Sequence, residues 1–506
     1  MRKPLALPTR KAKETAPVCV LVFVLSILAA ASASAQPKKV DDPAKTGPPK
    51  AATPPTGAGS LTLGEYLTQV SDKHTGYKAA DLTARGAKLY SEEGSLLMKP
   101  QVSANAQTST EGRNNPFTFD KNFHSKLYSL GLSQATGIGL NSKLTYNRME
   151  MQIPTGAAST SWSPDWLQLD LSQSLWRNWA GHEISAQAEA IETAALAKAH
   201  GQTYASKAIL LEAEAAYWRL ALAREMVKMN QDAIARAQRI SDWAGRRTQL
   251  SLVDRAESLQ ASTNLQARKL DLRTAEDEVR AASQAFNSSR GVNSNEVSEQ
   301  LIVIDPVLIA SMTVPERTVR RDDIRAAEFQ ARAAAASANA SKEKDKPVLE
   351  LFASAPLTEP SAAPGLLAAA LPANQRPSTT VGVRFSAPLD FGVLSRAREG
   401  YAAEAAAAEH TLARKVFEEE RDWADLTAKF MQSRERLKLY TELEKTQKEK
   451  LDYERDRQRR GRSTLQQVLL YETDFQLAQL GRIRTLAELL TLNAQMKLYG
   501  VSYESR

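Results

Sequence analysis

Two hydrophobic periods alternate along this chain. At 101–107, 128–133 and 138–148, and most regularly at 167–172, apolar and polar positions change places every second residue. In the last of these, Leu167, Leu169 and Leu171 interleave with Gln168, Asp170 and Ser172, which predicts strands with one apolar and one polar face. The short Gln134-Ala135-Thr136-Gly137 stretch would join the middle two as an additional hairpin. Helical spacing takes over at 185–243, where Ile209, Ala213, Ala216, Leu220, Ala223, Val227, Ile234 and Ala237 follow steps of three, four and seven. About sixty residues at about 1.5 Å each make a rod of about 90 Å, longer than any globular core requires. A break at 245–253 precedes a second helical run that ends near Asn287 and is closed by Gly291.

The same order then returns. Residues 61–97 favour helix up to Pro100, and the Ala-rich segment 317–342 favours helix up to Pro347. Alternation restarts at Val348-Leu349-Glu350-Leu351-Phe352 and, after a loop rich in Ala and Pro, at 380–386. A second long helix over 402–459 keeps Leu412, Val416, Trp423, Leu426, Phe430, Leu437, Tyr440 and Leu451 on a heptad track. It breaks at Gly461, and a shorter helix runs to Leu498 before Gly500. Short helix, strand, loop, strand, long helix, break, shorter helix therefore occurs twice, an internal duplication. In the last helix Val468, Phe475, Leu486 and Leu489 form one apolar flank and Leu469, Leu480, Ile483 and Leu490 another, the pattern of a helix with neighbours on both sides.

Charge and composition change this picture mainly at the N-terminus. Arg2, Lys3, Arg10, Lys11 and Lys13 precede an apolar stretch at 18–31 and a small-residue Ala33-Ser34-Ala35 site, the layout of a secretory signal peptide over 1–35. Removing those five cations and Glu14 lowers the formal net charge from +8 to about +4, too little to argue for nucleic acid. The only cysteine, Cys19, lies in the apolar stretch, so the mature chain has no disulfide chemistry. Residues 36–60, rich in Pro, Lys, Ala and Gly, form a flexible linker. The first structural repeat spans 61–300, a connector 301–316, the second repeat 317–500 and a tail 501–506. No later segment holds 18 consecutive apolar residues, so a membrane-inserted chain of this kind enters lipid as strands. Strand edges cannot stay unpaired in lipid, and four strands cannot close a barrel, so such a chain oligomerises.

Five stretches in order resemble the TolC-like outer membrane efflux proteins, and the resemblance covers nearly all of the mature chain. They are LTLGEYL at 61–67, LSQSLWRN at 171–178, RDDIRAAE at 321–328, FSAPLDFG at 385–392 and RGRSTLQQVL at 460–469. The resemblance implies a mainly α fold with a β-barrel portion, in which long antiparallel helical hairpins form an α-barrel continuous with a trimeric outer-membrane β-barrel. It implies a homotrimer in outer-membrane lipid with a periplasmic helical portion. Its function would be that of an exit duct for a tripartite efflux pump or a type I-like secretion system, with a periplasmic adaptor and an inner-membrane pump as partners. The chain departs from the pattern at Ser174, where the family often has Pro, and at Gln249, where it usually has Gly.

The two breaks then become hairpin tips at the periplasmic entrance, with Arg246, Arg247, Asp254, Arg460, Gly461, Arg462 and Ser463 as adaptor-docking candidates. The arginines also suit a helix C-terminus, whose dipole favours cations, and both roles can hold together. Some family members carry an acidic constriction on the second repeat's inner helix; the aligned positions are Gln467 and Leu470, which leaves Asp254 as the acidic candidate. Asp254 reads more simply as a solvated helix-start aspartate. No catalytic, cofactor or metal site is proposed. The five histidines are scattered without an HxxxH pair, Gly137-Ile138-Gly139 lacks the rest of a dinucleotide loop, and Glu418-Glu419-Glu420 sits in a charged helix. The rival reading is a soluble periplasmic coiled-coil adaptor, which would share the hairpins but not the alternating strands.

Overall fold

The computed structural model describes residues 60–111, 123–155, 158–250, 254–302, 319–357 and 379–500, with Val314 and Arg317. The expected signal peptide, the linker up to its last residue, most of the 301–316 connector, the Ala- and Pro-rich loop at 358–378 and the C-terminal tail lie outside the described residues.

A two-residue strand, β1 (Ser60–Leu61), leads into α1 (Leu63–Lys73). Thr62 and Glu65 close a reciprocal capping box there, each side chain accepting the other's backbone N–H, which satisfies two donors that a helix start leaves open. The single helix expected over 61–97 is divided. The His74 imidazole accepts from the Tyr77 N–H at 3.0 Å and starts α2 (Thr75–Leu89), and a 3-10 stretch (Tyr90–Met98) follows.

Strands β2 (Gln101–Glu111), β3 (Phe123–Ala135), β4 (Leu140–Thr155), β5 (Ala158–Trp162) and β6 (Asp165–Ser174) come next. Two helices follow: α3 (His182–Gln249), at 68 residues longer than the expected 185–243, and α4 (Arg255–Ser289). A short β7 (Gln300–Leu301) pairs in parallel with β1. The second half runs α5 (Asp322–Lys344), β8 (Val348–Pro356), β9 (Thr380–Ser386), α6 (Phe391–Arg459, 69 residues) and α7 (Leu465–Met496). At about 1.5 Å per residue α3 and α6 each extend about 100 Å.

The strands form one antiparallel sheet in the order β2-β3-β4-β6-β8-β9, with β5 paired to the far end of β4. The alternation at 128–148 therefore adds two strands inside the sheet, and their turn falls at 136–139, two residues later than the sequence suggests. Ala-rich α5 lies along α3 and also contacts α6.

The main core lies where both halves meet, near the middle of the long helices. Tyr66, Tyr217, Trp218 and Phe286 from α1, α3 and α4 join Phe430, Leu437, Ile483 and Leu486 from α6 and α7. The Tyr66 ring stacks on Phe286 with centroids 4.1 Å apart while its hydroxyl donates to the Phe286 carbonyl at 3.0 Å. The Tyr217 hydroxyl donates to the Leu61 carbonyl at 2.8 Å, so the buried rings keep their polar tips satisfied. Burial pushes the Tyr66 phenol up to about 12.

Candidate functional site

The sheet has two unlike faces. Residues opposite one another across a ladder share a face, and the register groups Val102, Leu132, Leu144 and Leu169 on one side of the sheet. Leu171, Ala353 and Val381 continue the same face, as do Leu351 and Val383. These side chains are not turned into a core: on β9, Val381, Val383 and Phe385 are 69%, 64% and 63% exposed. The opposite face carries Ser103, Asn105, Ser129, Ser133, Lys143, Thr145, Asp170 and Ser354. Asp170 Oδ1 there accepts from Ser354 Oγ at 2.6 Å and from Gln168 Nε2 at 2.8 Å. Arg384 lies over the Phe352 ring at 5.3 Å, and its guanidinium stands 3.7 Å from Glu350. Lys99, Lys143, Asp170, Phe352, Ser354 and Arg384 line an open depression of about 450 Å³. A sheet apolar and exposed on one side and wet on the other suits a wall between lipid and a water-filled lumen.

The sheet passes into the helices through a tight bend. Asn178 and Ala180 take positive φ, and the Asn178 side chain accepts from the N–H groups of Glu183 (3.0 Å) and Ile184 (3.2 Å), capping α3 from outside. Arg177 forks onto Glu183 with two contacts of 2.8 Å. The β3–β4 turn is seated against this bend: a Cβ at Gly181 would stand 2.1 Å from the Gly137 carbonyl oxygen, and one at Gly139 would stand 2.6 Å from the Asn178 carbonyl oxygen. Both glycines also have positive φ, so they supply the close approach and the backbone shape together.

At the other end of the rods the two hairpin tips lie side by side. Leu465 and Leu469 of α7 pack with Ile240, Trp243 and Ala244 of α3 and Ala261 of α4. Arg246 is exposed in the last turn of α3, and the Arg247 guanidinium lies over the Trp243 ring at 5.0 Å. Residues 251–253 lie outside the described residues. Asp254, exposed, is the N-cap of α4 and accepts from the Ala256 N–H at 3.4 Å.

In the second tip Arg460 caps α6, Gly461 turns the chain at φ 72°, and Thr464 caps α7 by accepting from the Gln467 N–H at 3.3 Å. Arg460 and Arg462 are exposed, whereas the Ser463 hydroxyl donates to the buried Glu454 carboxylate. Gln467 is half-buried and Leu470 exposed, both on the first turns of α7. Asp254 and Ser463 thus hold their own turns together, and Arg246, Arg460 and Arg462 present cations outward.

Between tip and core runs a polar seam that the sequence reading missed. Glu472 of α7, 1% exposed, lies 2.5 Å from Arg236 of α3 and 2.6 Å from Arg455 of α6. Four residues on, Gln476 donates to Asn230 of α3 at 3.3 Å. Arg482 reaches Glu444 of α6 at 2.6 Å and Glu225 of α3 at 2.7 Å. Burial works against the Arg482 charge, yet the two carboxylates hold its pKa above the usual arginine value. The available signal was a glutamate on an apolar flank: Glu472 stands four residues after Val468 and three before Phe475. Among the described residues no group of His, Cys, Asp and Glu could hold a metal ion, and no helix is long and apolar enough to cross a membrane.

A sheet with one lipid-suited face, carried on paired helical rods, is the TolC-like fold of outer membrane channels, the fold that the five sequence motifs imply. Similar solved structures include the outer membrane protein VceC from Vibrio cholerae, at TM-score 0.58 and 15% identity over 87% of this chain and 97% of that one. The Campylobacter jejuni CmeC outer membrane channel matches at TM-score 0.58 and 13% identity over 88% and 87% of the two chains. The Neisseria gonorrhoeae MtrE outer membrane channel, in its open state, matches at 0.57 and 15% over 87% and 88%. No protein-family model and no curated protein sequence matches the chain.

Proposed function

We propose that the protein is an outer-membrane channel, the exit duct of a tripartite efflux pump or type I-like secretion system. Solutes handed over at the periplasmic tips pass between the helices and leave through the barrel without bond chemistry. The observation that carries this reading is the exposed apolar face of the sheet, backed by a polar face and continuous with rods about 100 Å long. In this reading the chain is a homotrimer built from duplicated halves, 61–300 and 317–500. The exposed Arg246, Arg460 and Arg462 meet an acidic or polar surface of a periplasmic adaptor. Asp254 is the acidic candidate at the entrance, with Gln467 and Leu470 on the neighbouring helix in place of an acidic constriction.

Membrane fractionation tests the reading. The full-length protein is expected in the outer-membrane fraction, released only by detergent and migrating as three copies that resist heating. Release of a soluble protein with the periplasmic contents would instead favour the coiled-coil adaptor.

A further inference from the structure

The sheet holds more strands than the two matching halves of the sequence require. The second half contributes β8 and β9, whereas the first contributes β2, β3, β4 and β6 to the same path. The extra pair is not appended to a rim. β3 and β4 sit between β2 and β6, and their turn is locked at the bend by the backbone contacts of Gly139 and Gly181. Their apolar residues Leu130, Leu132 and Leu144 continue the face formed by Leu169 and Leu171. Over 129–135 of β3 and 140–147 of β4 the extra pair therefore has the two-faced character of a membrane wall; farther out Lys126 and Glu150 fall on the apolar side and Leu127 and Met149 on the polar one.

We infer that each copy supplies six strands, that β9 of one copy pairs antiparallel with β2 of the next, and that three copies close a barrel of 18 strands around a wide pore for bulky hydrophilic solutes. The inference rests on the channel reading and deepens it. Three features of the sheet support it. Both ends of the path are open edges, and every neighbouring pair along it is antiparallel. An even number of strands then leaves β2 and β9 running in opposite directions, so copies join without a parallel pair.

The edges are also offset by the amount that closure needs. The ladder carries one row from Gln101 through Ser133, Lys143, Asp170 and Ser354 to Thr380, so β2 and β9 extend to opposite sides of that row. With strands about 4.8 Å apart and tilted about 35–40°, six strands stagger by about six to seven residues, and the even value, six, keeps each face on its own side. That shift brings Thr380–Ser386 level with the first seven residues of β2. In this register Val381, Val383 and Phe385 meet Ala106, Ala104 and Val102, which keeps apolar beside apolar.

The count sets the width. The same spacing and tilt give a backbone diameter of about 36 Å for 18 strands against about 24 Å for 12. On β2 and β3 the inward face carries small residues, among them Ser103, Ser129 and Gly131, and the longer Lys143, Phe352 and Arg384 stand on the same face of β4, β8 and β9, which the greater backbone width accommodates. The cargo class that fits is a large hydrophilic solute, such as an extended polypeptide.

The test images the detergent-extracted full-length protein by electron cryomicroscopy and, in parallel, oxidises an Ala104→Cys/Val383→Cys double variant. Cys19, the only native cysteine, lies in the expected signal segment, so new bridges report the introduced pair alone. Eighteen strands in a threefold particle, with disulfide-linked multimers in the double variant and none in either single variant, is the expected result. A threefold particle with 12 wall strands and no cross-link overturns the inference and leaves the channel reading standing. Absence of any threefold membrane particle overturns both.

Discussion

Glu472→Leu is expected to loosen the second hairpin from the first by about 3–5 kcal/mol, the cost of leaving buried ionic partners unmatched. The carboxylate is 1% exposed and bridges Arg236 of α3 to Arg455 of α6; its removal leaves the Arg236 guanidinium, which lies over the Phe475 ring, without its carboxylate, and leaves Arg455 with Asp452 at 3.3 Å. Loss of helical signal at a lower temperature in circular dichroism, and earlier tryptic cutting at 455–462, are the expected readouts. Replacing all three charges together, as Arg236→Met, Glu472→Leu and Arg455→Met, is expected to recover most of the loss, because a matched apolar cluster carries no desolvation cost. An unchanged melting profile in the single variant would mean that the seam does not hold the hairpins together.

The second large effect belongs to the bend between sheet and helices. Gly181→Ala places a methyl group 2.1 Å from the Gly137 carbonyl oxygen at φ 71°, a backbone-to-backbone clash that no side-chain motion relieves. A loss of about 3 kcal/mol or more is expected from overpacking combined with the left-handed backbone. Gly461→Ala supplies the control, since its φ is 72° but nothing lies within 4 Å of the added carbon. Its cost is expected near 1 kcal/mol, from conformation alone. Equal melting temperatures for the two variants would contradict the seating of the β3–β4 turn on the α3 start.

Much of this architecture is legible in the residue pattern, and the exceptions have physical causes. Heptad tracks located α3 and α6 because a helix with a buried stripe must repeat its apolar residues, but the 391–401 turns of α6 were missed because Gly392, Ser395, Arg396, Arg398, Glu399 and Gly400 interrupt the few apolar residues there. The helix expected over 61–97 divides at His74 because an imidazole can cap a helix, and no apolar period records that. Period-two alternation found β2, β3, β4, β6, β8 and β9 but not β5, whose Ala158-Ser159-Thr160-Ser161-Trp162 shows no apolar alternation. Their order along the sheet depends on pairings more than 180 residues apart, as between Gln168 and Ser354, which no local pattern encodes.

At the tips, Gly461 marked the turn correctly as a place needing a permissive backbone, and Asp254 was readable as a helix start. The ionic seam was hidden because charged residues on a helix usually face water, and only the helices packed on both sides of α7 make Glu472 interior. Gly139 likewise looked like ordinary turn chemistry until Asn178, 39 positions away, came to rest against it.

The claim on which the rest depends is that this chain forms a water-filled passage through a membrane. Purified full-length protein added to one side of a planar lipid bilayer, with single-channel current recorded beside an Asp254→Ala variant, tests it most directly. Discrete, repeatable conductance steps from the wild type are expected, with altered cation preference in the variant if Asp254 faces the lumen at the entrance. A wild-type protein that is trimeric and folded, yet leaves the bilayer without any steps, would contradict the duct.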